Sequence, residues 1–138
     1  MDGRRVLRGD SVVAVPDRPK SSGLEGGRRL FNAGRFFEAH EVWEAEWLGA
    51  VGPRRLLLQG LIQVAAALYK ATRRERPAGC VQLLTEALAK LELFADGDED
   101  LALTDFRRDV ANALEEAVAW NAGGPPLDPA SLPALRLR

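Results

Sequence analysis

The sequence predicts an all-α, single-domain bundle of about five helices around a central apolar helix. Three observations carry that expectation. Apolar residues recur at helical spacing in successive segments after residue 24. Those segments are separated by breaks rich in Gly and Pro. No series of strands with turn signals, no glycine-rich phosphate loop and no internal repeat is present. At 138 residues, with 46% apolar and 28% charged residues, the chain can bury one core and has the composition of a globular domain.

Residues 1–23 read as a poorly ordered lead-in, with Ser11 to Val15 as a short extended piece. Pro16, Pro19 and Gly23 break anything longer. The helical domain is expected over residues 24–122. Its first helix, in LEGGRRLFNAG, should end at Asn32 to Gly34, with Gly34 as a left-handed cap, while Gly26 and Gly27 weaken its start. A second helix should run from Arg35 to Leu48 and stop in Gly49 to Gly52. A third should begin at Pro53, well tolerated in a first turn, and reach about Arg74. Its interior, LLLQGLIQVAAALY, is apolar nearly all round, which makes it the central helix.

Pro77 ends that helix, and Pro77 to Gly79 open a fourth, with Cys80, Leu84, Ala87, Leu88 and Leu91 at helical spacing. DGDED, residues 96–100, reads as a solvated acidic turn; the rest of a calcium-loop pattern does not follow. Thr104 or Asp105 can cap a fifth helix whose core face is Phe106, Val110, Ala113, Leu114 and Ala117. Trp120, near its end, suits either the core or a partner. Gly123 and Gly124 stop the helix. Residues 123–138 form a proline-rich extended tail, whose Leu127, Leu132, Leu135 and Leu137 suit packing along the body or a partner.

Charge and cysteine content exclude several function classes. The net charge is −1, so no overall field recruits nucleic acid. Residues 1–35 carry eight Lys/Arg against four Asp/Glu, but no aromatic group occurs before Phe31 to stack on bases. No nucleic-acid partner is expected. Lys70, Arg73, Arg74 and Arg76 complement the dipole at the end of the third helix, and phosphate binding is the other use of such a cluster. The apolar run Val64 to Tyr69 is too short to span a bilayer, and the first residues lack a signal-peptide core, so neither membrane insertion nor export is expected. Cys80 is the single cysteine; among Val81, Leu83 and Leu84 it reads as a buried small hydrophobe, and a reducing, cytoplasmic setting fits it best.

Chemistry concentrates in FNAGRFFEAHEVWEAEW, residues 31–47. This stretch holds the only histidine, three of five phenylalanines and two of three tryptophans. On a helical wheel Phe36, His40, Trp43 and Trp47 lie within about 60°, with Glu44 about 40° beyond His40 and Phe37 beside it. Glu38, Val42, Ala45 and Glu46 point mostly the other way. Three readings follow. His40 and Glu44 form a hydrogen-bonded i, i+4 pair in a packed core. Or they share a cation, with Glu41 as a third group. Or they act as a catalytic acid–base couple in a cleft.

HEVWE begins like the HExxH zinc motif, but its fifth residue is Glu44 and no second histidine exists. No metal ligand set is therefore assigned and no cofactor is implied. A carboxylate-rich site for manganese, iron or magnesium would need oxygens from other helices. On the third helix Gln59, Gln63 and Lys70 form one stripe within about 40°. Buried amides need partners, and the second helix offers His40, Glu41 and Glu44; the alternative is an exposed edge. The short GAVG link favours antiparallel packing, with Gly60 allowing close approach.

These residues carry a resemblance. FNAGRFFEAHEVWEAEW, then LLLQGLIQVAAALYK, then AGCVQLLTEALAKL, resemble the domain-of-unknown-function 309 family of small helical bacterial and archaeal proteins. The resemblance covers about residues 24–94. By it, Phe31, Asn32, Glu38, His40, Glu41, Glu44, Trp47, Gln59 and Gln63 correspond to signature positions. It implies an α-helical bundle and supplies no activity.

The functional expectation is a polar cluster of His40, Glu41, Glu44, Gln59 and Gln63, with Asn32, walled by Phe36, Phe37, Trp43 and Trp47. As a structural, binding or assembly module, the chain would use apolar helix faces or its tail against a second copy or another protein. As an enzyme of hydrolase type, His40 would be the acid–base group and Glu44 its partner, or the carboxylates would hold a metal.

Overall fold

The computed structural model describes residues 22–138, so the expectations for residues 1–21, including the extended piece at Ser11 to Val15, lie outside the described residues. Five α-helices follow in order: α1 Ser22–Asn32, α2 Phe36–Leu48, α3 Gly52–Thr72, α4 Pro77–Leu91 and α5 Leu103–Asn121. Short 3-10 turns occupy Asp98–Asp100 and Pro129–Ser131. The chain is all-α, with no strand among the described residues. No described helix is long and apolar enough to cross a membrane.

Consecutive helices pack on one another, and α3 touches both α2 and α4. Nine α3 residues, including Leu57, Leu61, Val64 and Leu68, are buried, as a centrally placed apolar helix requires. Phe31 of α1 closes the bundle: its ring lies 5.2 Å from Phe36, 5.6 Å from Trp43 and 5.8 Å from Phe106 of α5. These edge and tilted contacts are the favoured arrangements of aromatic quadrupoles.

Glycine at two positions answers to packing. Gly27 lies in the middle of α1, where its helix propensity is poor. A Cβ there would collide with the Trp43 indole, so the missing side chain lets α1 settle onto that ring. Gly60 was expected to admit α2. It instead faces α4: a Cβ there would lie 3.3 Å from Leu91 Cδ2 and 3.4 Å from Lys90 Cβ. As expected, Gly34 ends α1 in the left-handed region at φ 80°.

The acidic connector does more than meet water. α5 starts at Leu103, one residue ahead of the expected caps Thr104 and Asp105, and its N-cap Ala102 has no side-chain bond to give. Asp96 supplies one instead, its Oδ1 accepting from the Thr104 amide at 3.1 Å. Asp96 also pairs with Arg138 at 2.8 Å.

The tail lies along the body. Leu127, Pro133 and Leu135 are buried, and Leu137 forms an isolated antiparallel bridge with Leu101. Asn32 grips it. The side-chain amide donates to the Leu135 carbonyl and accepts from the Leu135 amide, both at 2.9 Å. An Asn side chain presents a donor and an acceptor side by side, so it pairs with an extended backbone as a neighbouring strand would.

Candidate functional site

Helix α2 is flanked by α1 and α3, and this sorts its side chains into three sets. Phe36, Ala39 and Trp43 are buried. Val42 and Glu46 meet α1: a Cβ on Gly26 would lie 3.8 Å from Val42 Cγ1, and one on Gly23 would collide with the Glu46 carboxyl. Phe37, Glu41, Glu44 and Leu48, spaced four, three and four apart, form the exposed stripe. His40 sits half-buried at its border.

This differs from the single inward face and single outward face of the wheel. Glu46 is not an outward carboxylate. Its side chain is 14% exposed and bonds Arg54 of α3 at 2.9 Å, and Arg54 also meets Glu99 at 3.4 Å. Two flanking helices, rather than one, bury α2 on two sides. Glu38 stays at the surface paired with Arg35.

The expected polar cluster assembles only in part. His40, Glu41 and Glu44 each offer a ligand atom, and these atoms lie within 4.8 Å of one another. Gln63 turns to α4, where its amide donates to Glu86 at 2.9 Å; Gln82 holds the other Glu86 oxygen at 3.1 Å. Gln59 is half-buried and makes no hydrogen bond to α2 among the described residues. Asn32 is occupied by the tail. Trp43 is core, fully buried, with its indole N–H donating to the Leu24 carbonyl at 3.0 Å. Trp47 is half-buried under the Arg55 guanidinium, 3.7 Å above its ring. Phe36 is core as well, so of the expected walls Phe37 alone stands at the cluster.

His40 and Glu44 share no hydrogen bond among the described residues, and His40 Nδ1 is buried without a partner. A carboxylate one turn away was the expected partner of a structural imidazole. That bond is absent because Glu44 lies on the exposed stripe rather than the inward face.

A cavity of about 150 Å³ opens between α2 and α3 beside His40. Phe37, His40, Ala66, Tyr69 and Lys70 line it. The Phe37 and Tyr69 rings stand 5.4 Å apart at 46°. Residue spacing in α3 alone did not reveal this cavity; the stripe that held Gln59 and Gln63 points Lys70 into it. Lys70 also runs along the start of α4, near Cys80. Cys80 is buried, and desolvation pushes its thiol up to about 11 against a small opposing pull from Lys70. It is packing, not a nucleophile.

Residues 24–83, which span most of α1, all of α2 and α3, and the start of α4, match the family model described as "Domain of unknown function (DUF309)". His40, Glu41, Glu44, Gln59 and Gln63 all fall inside that match, and the resemblance drawn from the sequence is to this same family. No curated protein matches the chain.

Proposed function

We propose that this helical domain binds a divalent cation through His40, Glu41 and Glu44. The observation that carries the reading is the convergence of three ligand atoms within 4.8 Å, beside an imidazole nitrogen without a partner. Donors about 2.0–2.2 Å from a shared cation stand roughly 3–4 Å from one another. Two exposed carboxylates on flexible stems can close the difference. One imidazole and two carboxylates suit manganese, iron(II) or zinc better than a soft ion. Three protein ligands leave positions open, so water or a substrate group could bind there, as in hydrolytic metal sites.

Calorimetric titration of the purified chain with manganese and with zinc tests this. Saturable one-to-one binding is expected, weakened at least about tenfold by Glu44→Gln and by His40→Gln. Equal affinity in both variants would overturn the assignment.

A second reading, assembly with another copy, rests on one observation. Phe37, Leu48 and Val51 expose 51%, 69% and 83% of their surface along α2 and the turn after it. Sedimentation over a range of concentrations distinguishes it: a constant monomer mass removes it. The single buried cysteine fits a reducing, cytoplasmic setting for either reading.

A further inference from the structure

We propose that the cavity between α2 and α3 binds a small aromatic monocarboxylate, with the anionic group on Lys70 and the ring packed against the wall that Phe37 and Tyr69 form together. The proposal stands apart from the cation site, since His40 alone borders both.

Size comes first. About 150 Å³ is the volume that accepts one benzene-sized molecule. Wall chemistry comes next. The Phe37 and Tyr69 rings, in contact at 5.4 Å, and the Ala66 methyl make an apolar wall against which a flat apolar body can pack. Charge then selects the sign. No Asp or Glu pairs with Lys70 among the described residues, whereas the neighbouring Arg73 is paired with Glu75 at 3.5 Å. The Lys70 stem runs past Gly79, whose added Cβ would lie 3.6 Å from both Lys70 Cδ and Cε. The Lys70 stem is thus packed against α4 while the residue lines the cavity, with no carboxylate paired to it among the described residues. A single negative charge fits better than a phosphate dianion, because the carboxylates of Glu41 and Glu44 lie close to His40, which lines the cavity.

NMR titration of the full chain with benzoate, in excess EDTA, tests the proposal without the cation site. Saturable shifts of the Phe37, Tyr69 and His40 ring signals are expected. Benzyl alcohol and benzylamine should bind at least roughly tenfold more weakly, the value of a charge-assisted contact. Lys70→Met should remove the preference for benzoate over benzyl alcohol while leaving weak ring binding. Ala66→Leu, which fills the cavity, should abolish the shifts while the remaining amide signals keep their positions. Benzylamine binding as well as benzoate, an unchanged preference in Lys70→Met, or shifts unaffected by Ala66→Leu would each overturn it. Failure of benzoate with intact manganese binding would sink this inference alone.

Discussion

The two flanks of α2 are built to different standards. On the α1 side the polar groups are matched: the Trp43 indole N–H meets the Leu24 carbonyl, and Glu46, which abuts Gly23 of α1, pairs with Arg54 at the start of α3. Glycines at 23 and 27 let the helices close on those side chains. On the open side, His40 Nδ1 is buried without a partner, Glu41 and Glu44 face solvent, and a cavity remains beside Phe37 and Tyr69. One flank is therefore packed and paired, and the other leaves polar groups that take no part in the packing.

Mutations should separate the flanks, and the largest effect belongs to Trp43. Trp43→Ala leaves a cavity and removes the indole's bond to the Leu24 carbonyl, and should cost about 3–5 kcal/mol in denaturant unfolding. Gly27→Ala comes next and tests the close approach by its sign. In an unobstructed helix the change gains about 0.5–1 kcal/mol. Against the indole it should instead cost about 1–3 kcal/mol; a gain would mean that α1 does not rest on Trp43. Asn32→Ala removes both bonds to Leu135 and should cost about 1–2 kcal/mol, with earlier proteolysis of the tail.

Acid should reach the α1 flank in a defined window. Hydrogen bonds from Arg28, and then Arg29, hold the Glu25 carboxyl down at about 2 from its ordinary 4.5. A depressed carboxylate stabilises fully above its ordinary value and loses that contribution as pH falls through about 2. Wild type should therefore lose stability relative to Glu25→Gln between those values, read from melting temperature against pH. The smallest effect belongs to the open flank. Glu44→Gln should change stability by no more than about 0.5 kcal/mol, because its carboxylate supports no described contact.

How much of this was legible in the sequence depends on what each residue answers to. Helix positions followed from spacing and from Gly34, Pro53 and Pro77, because local chemistry sets where helices stop. The placement of α3 at the centre followed from its unbroken apolar interior. What needed the fold was the number of neighbours. A wheel assigns one inward face, but α2 has neighbours on two sides, so Glu46 and Glu44 exchanged roles: the first is enclosed, the second exposed. Gln63 found Glu86 on α4 rather than His40 on α2, a choice spacing within α3 cannot make. Asn32, placed in the expected polar cluster, serves the tail instead, since its partner lies more than a hundred residues later.

The most direct test of the open flank as a cation site is paramagnetic broadening by substoichiometric manganese across the amide spectrum. The account predicts broadening centred on His40, Glu41 and Glu44 that disappears in Glu44→Gln. Broadening centred on another acidic surface, such as Asp98 to Asp100, or none at concentrations well above those of the protein, would contradict it.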